Sequence, residues 1–179
     1  MKKHPAPQVT RDFQLQADRF YLEKASFSAP DGSSVVRDII QHPGAVVIVP
    51  VLPDKRICLI QNFRVAIGQW MLELPAGTRE PNEPPIETAA RELTEETGFT
   101  AGSVTPLCDF FMSPGILNEH MFAFLAQDLT AGDAQREAGE LIDNVLVTTD
   151  EALELIRTGA IQDAKTIAAL LFYQRFYGD

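Results

Sequence analysis

The segment that most constrains the fold lies near the middle of the chain, at residues 87–98, with the sequence ETAARELTEETG. Ala89, Ala90 and Leu93 give it one apolar side at helical spacing, no proline interrupts it, and Gly98 is a typical residue for ending a helix. Strand-like segments come before and after it, and two helical segments close the chain. The order strands, helix, strands, helices predicts a mixed domain of the α+β class.

Strand signals lie on both sides of this helix. Ala45 to Leu52 form a continuous apolar run, which is typical of a buried strand, and the next strand is predicted to end at Arg64. Between Asp18 and Ile40, two alternating runs are joined by the turn sequence Pro30-Asp31-Gly32. Further strands are predicted at 104–113, 121–129 and 141–147, and helices from near Thr148, where Glu151 completes a capping box, and from near Asp163.

The composition limits the choice of partners. The 179 residues include 15 Lys and Arg against 25 Asp and Glu, a formal net charge of -10, which disfavours nucleic acids and anionic membranes as partners. No apolar run is long enough to span a membrane, and the N-terminal residues do not have the pattern of a signal peptide. Cys58 and Cys108 fit reduced thiols better than a disulfide, so we expect a cytoplasmic protein.

Three glutamates of the central helix share one face. Glu92, Glu95 and Glu96 are spaced at i, i+3 and i+4, so their side chains project together and repel one another. A solvated surface paired with basic neighbours is one interpretation. The other is a site for a hard divalent cation such as Mg²⁺ or Mn²⁺, since clustered carboxylates are the ligands that such ions prefer.

The surrounding residues favour the second interpretation. Gly77 is followed after five residues by Glu83, and after seven more by the segment 91–99, RELTEETGF. This pattern resembles the signature box of the Nudix hydrolases, which cleave nucleoside diphosphates linked to another moiety. The resemblance implies the Nudix fold, in which mixed β-sheets are sandwiched between helices (α/β/α). It also covers most of the chain, from about Val35 to Phe176.

The resemblance also implies roles for the box residues. Glu92 and Glu96 correspond to the principal metal ligands, and Glu95 to a further ligand or a partner of a metal-bound water that takes part in catalysis. The backbone carbonyl of Ala76 would complete the shell around Mg²⁺, for which Mn²⁺ is a possible substitute. Glu83 is expected to support the helix by hydrogen bonding, and Arg91 to brace the acidic residues.

Other short motifs resemble the branch that contains ADP-ribose pyrophosphatases and hydrolases of nucleoside diphosphate sugars. They are HPGAV with the preceding VRD, QNFR, ELPAG just before the box, and SPG followed by a glutamate. An ordinary turn at Gly115, a surface cation at Arg64 and a buried acid at Glu73 remain open alternatives. The branch implies substrate contacts from Arg37, Arg64, Glu73, Gly115 and Glu119.

A general base is expected on a late loop. In this branch the base is thought to be a glutamate on a mobile loop, and the corresponding segment here is DAQREAGELID. Glu140 aligns best by position and Glu137 second. Both residues could instead be solvated loop charges, and the sequence does not decide between these interpretations.

The N-terminal segment is predicted to serve assembly. Residues 1–42 are expected to form an antiparallel β-segment, and residues 43–179 the Nudix hydrolase domain. Members of the resembled branch form homodimers whose N-terminal strands pack across partners and help to bind the nucleoside. An isolated hairpin is unstable in water, so these strands must pack on their own domain or on a partner.

The expected activity is metal-dependent hydrolysis of the pyrophosphate bond of ADP-ribose or a related nucleoside diphosphate sugar. The products would be a nucleoside monophosphate and a sugar phosphate. Two alternatives stay open at this point. One is a module that binds ADP-ribose without cleaving it, and the other is a Nudix hydrolase of a different nucleotide.

Overall fold

The computed structural model describes residues 5–136 and 141–178, and this part of the chain contains ten strands and three helices. The strands are β1 Thr10–Gln16, β2 Tyr21–Ser28, β3 Ser34–Gln41, β4 Ala45–Pro50, β5 Ile57–Arg64, β6 Gln69–Glu73, β7 Ala76–Thr78, β8 Phe99–Phe111, β9 His120–Ala131 and β10 Ile142–Val147. The helices are α1 Pro85–Thr97, α2 Thr149–Arg157 and α3 Ala164–Phe176.

The chain divides into two compact units. The first combines Met1–Pro43 with Phe111–His120, and the second combines Gly44–Phe110 with Met121–Asp179. The predicted domain division at residue 42 remains a prediction. The role of the N-terminal residues in dimerisation stays a prediction.

The first unit is built on a three-stranded antiparallel sheet in the order β1-β2-β3. Strands β2 and β3 pair from Tyr21 with Gln41 to Ser28 with Ser34. The predicted turn joins them, and Gly32 takes the left-handed conformation that glycine adopts without strain (φ 83°). The later segment is tied to β3, because the N–H of Ile40 donates to the carbonyl of Ile116 at 2.8 Å.

The second unit contains two sheets. One is mixed, in the order β7-β4-β9-β8, with β4 and β9 parallel, and the other is antiparallel, in the order β10-β5-β6. Every residue of β4 is buried, as its continuous apolar sequence predicted. Pro106 lies within β8, the last strand of its sheet, and edge strands are where sheets tolerate proline.

Helix α1 packs on the mixed sheet. Ala89 and Leu93 are fully buried and join Val46, Ile48 and Phe124 in one apolar cluster. Truncating a buried leucine such as Leu93 to alanine would cost about 2–5 kcal/mol of stability. The predicted apolar side is wrong in one position: Ala90 is exposed, and the buried face instead includes Thr88 and Thr97.

The helix ends follow the local sequence signals. Helix α1 has Pro85 in its first position, where the missing N–H is harmless, and Gly98 ends it with a left-handed backbone (φ 78°). Thr148 and Glu151 form the predicted capping box of α2, and the Asp163 side chain accepts from the N–H of Thr166 at the start of α3. None of the described helices has the length and apolar character needed to cross a membrane.

Candidate active site

The first element of the site is the close approach of β7 and α1 at Gly77. A Cβ atom at this position would lie 1.8 Å from the Cδ of Glu92, so any other residue would displace that carboxylate. Gly77 is not among the glycines with a positive φ. The absence of a side chain at Gly77 instead gives the carboxylate of Glu92 the space that it occupies.

Glu96 reaches the same place from the next turn of the helix. It is only 4% exposed, and its Oε2 accepts a hydrogen bond from the N–H of Ala76 at 2.8 Å. Ala76 directly precedes Gly77 in β7. The structure thus brings together Ala76, Glu92 and Glu96, which the sequence named as metal ligands.

Arg91 braces the other acidic side chains of the box. Its Nη1 donates to Glu92 Oε1 and to Glu95 Oε2, both at 2.8 Å. Its Nε and Nη2 donate to the two carboxylate oxygens of Glu83, at 3.0 and 3.1 Å. The hydrogen bonds from Arg91 lower the pKa of Glu83 to about 2. In turn, the carboxylates of Glu83, Glu92 and Glu95 raise the pKa of Arg91. Glu83 therefore acts as the anchor of Arg91, in the supporting position expected from the sequence.

The donor set at this junction fits a hard divalent cation. Carboxylate and backbone oxygens are the ligands of Mg²⁺ and Mn²⁺, and the absent side chain of Gly77 gives the carboxylate of Glu92 the space it occupies. Glu92 is 13% exposed and Glu95 33%, so Glu95 lies nearer the surface. Within residues 5–136 and 141–178, no three acidic, histidine or cysteine side chains form a ready-made metal cage.

Arg64 and Glu73, two predicted substrate contacts, form an ion pair with each other. Arg64 Nε donates to Glu73 Oε1 at 2.8 Å, and its Nη2 donates to Oε2 at 2.6 Å. The Glu73 side chain is 1% exposed and that of Arg64 is 40% exposed. Glu73 is thus the buried acid that the sequence left open, and Arg64 is the member of the pair that a solute can reach.

Sequence reasoning missed a third member of this cluster. Lys165 Nζ lies 2.5 Å from Glu73 Oε2 and 2.9 Å from Asp163 Oδ2, and its side chain is 9% exposed. Burial would raise the pKa of Glu73, but the hydrogen bonds from Arg64 and the charge of Lys165 lower it below its ordinary value. One signal could have found Lys165: a lysine in the first turn of a helix opposes the helix dipole and needs carboxylates nearby.

The remaining predicted substrate contacts lie in the first unit. Gly115 is exposed in a turn where the carbonyl of Ser113 accepts from the N–H groups of Ile116 and Leu117. Glu119 Oε1 lies 3.7 Å from Nδ1 of His42. Arg37 is exposed on β3 and donates to the carbonyl of the residue before it.

The two candidates for the base, Glu137 and Glu140, lie outside the described residues. The chain just before them is held against the last turn of α1. The N–H of Gln135 donates to the carbonyl of Glu95 at 2.9 Å, and Arg136 Nε donates to the carbonyl of Glu96 at 3.1 Å. On the other side, Asn144 Nδ2 donates to the carbonyl of Thr97 at 2.8 Å. These bonds satisfy carbonyls that a helix end leaves without partners.

Comparisons with known proteins place these features in a family. A family model described as NUDIX domain matches residues 41–170. An ADP-ribose pyrophosphatase of Bacillus subtilis (strain 168) is 37% identical over 147 residues, covering 81% of this chain and 80% of its own. An ADP-ribose pyrophosphatase of Mycobacterium tuberculosis (strain ATCC 25618 / H37Rv) is 31% identical over 175 residues, covering 96% of this chain and 84% of its own.

Two further likenesses extend the comparison. A GDP-mannose pyrophosphatase of Enterobacter sp. (strain 638) is 34% identical over 186 residues, covering 93% of this chain and 94% of its own. The crystal structure of an ADP compounds hydrolase superposes with a TM-score of 0.85 at 24% identity, covering 98% of this chain and 96% of that one. The last likeness shows that the fold is shared over nearly the whole length.

Proposed function

The chain belongs to the NUDIX family, and from this premise we propose that it hydrolyses the pyrophosphate bond of ADP-ribose or a related nucleoside diphosphate sugar. The products would be a nucleoside monophosphate and a sugar phosphate. One observation carries the proposal: Ala76, Glu92 and Glu96 meet at a junction that Gly77 keeps open. The predicted Nudix fold and the predicted enzyme class, a Nudix pyrophosphatase, are both confirmed.

The choice of substrate class is supported by the relatives. Two of them are named ADP-ribose pyrophosphatases and a third is named a GDP-mannose pyrophosphatase, at 31–37% identity over most of both chains. These compounds share a nucleoside diphosphate joined to a sugar. We therefore propose this shared chemistry as the substrate, with ADP-ribose as the first compound to test.

The metal site follows from the donor set. We propose that Glu92, Glu96 and the carbonyl of Ala76 hold Mg²⁺, with Mn²⁺ as a possible substitute, and that Glu95 is a further ligand or a partner of a bound water. A divalent cation here would supply charge neutralisation for the pyrophosphate and a lower pKa for the attacking water. Arg91 orients the carboxylates of Glu92 and Glu95 through its hydrogen bonds.

The substrate's phosphates need a fixed cation from the protein as well. Arg64 is the candidate, because Glu73 holds one side of its guanidinium while the side chain remains 40% exposed. A guanidinium held in this way presents its other N–H groups in a fixed direction, which suits a phosphate. Glu73 would act through Arg64, since its own carboxylate is buried.

A base must accept or orient the proton of the attacking water. We propose Glu140 for this role, with Glu137 as the alternative. The proposal is supported by Gln135 and Arg136, whose hydrogen bonds hold the preceding residues against the turn of α1 that carries Glu95 and Glu96.

Recognition of the rest of the substrate is assigned to the first unit. We propose that Arg37, Gly115 and Glu119 contact the nucleoside or the sugar. Gly115 has no atom within 4 Å of the position a Cβ would take, so the backbone of this turn is open to a ligand. We also propose that the protein is a cytoplasmic homodimer that uses the N-terminal sheet as its contact.

The experiment that tests the function is a screen for phosphate release. Purified protein with saturating Mg²⁺ is offered ADP-ribose, nucleoside diphosphate sugars, dinucleoside polyphosphates and nucleoside triphosphates, and a phosphatase converts the products to inorganic phosphate. Turnover of ADP-ribose or of a nucleoside diphosphate sugar supports the proposal. Turnover of only the other compounds would place the chain with another Nudix substrate, and binding of ADP-ribose without turnover would indicate a sensor.

A further inference from the structure

A buried lysine lies behind the candidate phosphate-binding arginine. Lys165 is in the first turn of α3, and its Nζ contacts Glu73 Oε2 at 2.5 Å and Asp163 Oδ2 at 2.9 Å. The site is unfavourable for a cation in two respects, since the side chain is 9% exposed and the helix end carries partial positive charge. The presence of lysine here therefore calls for a compensating function.

The contacts connect Lys165 to Arg64 through one carboxylate. Glu73 Oε2 accepts both from Lys165 Nζ and from Arg64 Nη2, and Oε1 accepts from Arg64 Nε. Because Oε2 is shared, the position of the lysine fixes the plane in which the carboxylate presents its oxygens to the guanidinium. A carboxylate held at only one side could rotate and take the arginine with it.

The free side of Arg64 points to what this arrangement serves. Among the described residues, its Nη1 has no hydrogen-bond partner, while Nε and Nη2 are both bound to Glu73. Glu73 raises the pKa of Arg64, and the charge of Glu96 adds to the effect. The guanidinium is therefore electrostatically coupled to the box glutamate that we assign to the metal.

Helix docking alone does not explain the lysine. Thr166 already joins α3 to the sheet, because its Oγ1 accepts from the N–H of Leu74 at 2.8 Å and donates to Asp163 at 2.6 Å. An apolar side chain at position 165 could fill the same space without burying a charge, and such replacements are often neutral or stabilising. What an apolar side chain could not do is hold Glu73.

We propose that Lys165 is a positioning residue that fixes Arg64, through Glu73, for the pyrophosphate of the substrate. This inference rests on the proposed function, because Arg64 is assigned there to a substrate phosphate. It adds a residue of α3 that none of the sequence motifs includes. It also gives Glu73 a specific task, to transmit the position of Lys165 to the guanidinium.

The direct test is a spectroscopic signal from Arg64. In ¹H–¹⁵N spectra, the Arg64 Nε–Hε group should be protected from exchange in the wild type, since it donates to a buried carboxylate. Lys165→Met should remove that protection, and Lys165→Arg should retain it. The matched control is Thr166→Val. It removes the hydrogen bond between Leu74 and α3 without changing a contact of Glu73, and it should leave the Arg64 signal in place. An unchanged Arg64 signal in Lys165→Met would overturn the proposal.

The kinetic test separates positioning from stability. Lys165→Met should lower kcat/KM by about tenfold or more, because a small misplacement of a phosphate-binding group is costly. In an Arg64→Lys background, the same substitution should have almost no further effect, since both act through one guanidinium. Independent, multiplying effects would contradict the inference. Lys165→Gln serves the same comparisons if the methionine variant does not fold.

The two proposals fail in different ways. A wild-type protein that turns over no compound of the screen would refute the proposed function, and the Arg64 signal would still test whether Lys165 fixes the arginine. An active wild type with an unchanged signal and an unchanged kcat/KM in Lys165→Met would refute only the positioning role.

Discussion

Two charged clusters of the second unit are built from the same kinds of residue and differ in their balance of charge. The box cluster is defined as the four carboxylates of Glu83, Glu92, Glu95 and Glu96 with the guanidinium of Arg91, and these five side chains together carry a formal charge of -3. The Arg64 cluster contains two carboxylates and two cations, and its formal charge is zero.

The difference in charge suits the box cluster to binding a metal ion and the Arg64 cluster to positioning side chains. A surplus of carboxylates around one arginine costs repulsion unless a cation joins them, so the box cluster is suited to bind metal. The balanced Arg64 cluster needs no added cation. The side chains of Glu73 and Lys165 are 1% and 9% exposed, and their hydrogen bonds fix the positions of the charged groups. Substituting one carboxylate in each cluster should therefore have opposite effects on activity and stability.

The largest effect is expected for Glu96→Gln. Turnover should fall by at least about 10²-fold, since even outer-shell partners of a metal typically contribute 10–100-fold. The fold should persist, because the amide oxygen of glutamine can still accept from the N–H of Ala76. Steady-state kinetics measure turnover, Mn²⁺ titration measures metal binding, and thermal unfolding measures the stability of the fold. Glu87→Gln, an exposed position of the same helix, is the control, and near-normal activity of Glu96→Gln would remove the metal assignment.

The balanced cluster should respond in stability. Glu73→Gln removes the carboxylate that contacts both Arg64 and Lys165, and breaking a buried ion pair from one side typically costs about 3–5 kcal/mol. Urea unfolding at neutral pH measures the loss. Glu154→Gln is the matched control, since its pair with Arg157 is exposed and should contribute far less. Equal losses in the two variants would contradict the distinction between the clusters.

The assignment of the base gives the next effect. Glu140→Gln should lower kcat by about 10²-fold or more if Glu140 accepts the proton of the attacking water. Mn²⁺ affinity should stay unchanged, which distinguishes this variant from Glu96→Gln. Glu137→Gln is both the control and the alternative. If it carries the loss and Glu140→Gln does not, then the base is Glu137.

Much of the fold was predictable because its signals are local. The apolar run of β4, the end of β5 at Arg64, and the caps at Gly98 and Asp163 all depend on residues a few positions apart. Strands β6 and β7 were not assigned, since they are short and lack alternation. The association of the segment around Ile116 with β3 depends on pairing across the sequence, which no local pattern encodes.

The residues of the candidate site also divide into those with a local sequence signal and those that depend on tertiary packing. Glu92 and Glu96 could be named as candidate metal ligands because the pattern that resembles the Nudix box has fixed spacing within one helix. The pairing of Lys165 with Glu73 joins residues 92 positions apart, so it depends on how α3 packs on the antiparallel sheet. The reason for Gly77 was also out of reach, because the side chain that excludes a Cβ there comes from α1.

The smallest effect tests how Arg91 is anchored. Glu83 has a pKa of about 2 in the folded protein, against an ordinary value of 4.5, because Arg91 donates to it. A lowered pKa means that the carboxylate stabilises the fold above its ordinary pKa and loses this contribution as the pH falls towards 2. Glu83→Gln should therefore cost about 1.5–3 kcal/mol near neutral pH, the usual value of a hydrogen bond to a charged group.

The difference between wild type and Glu83→Gln should shrink between pH 4.5 and pH 2, the window set by the two pKa values of Glu83. Urea unfolding at several pH values in this range measures it. Glu87→Gln is again a suitable control, since Glu87 lies in the first turn of the same helix and is exposed. A pH-independent difference would mean that Glu83 stabilises the box through packing. Arg91 would then owe its position to Glu92, a proposed metal ligand, and to Glu95, proposed as a further ligand or as a partner of a bound water.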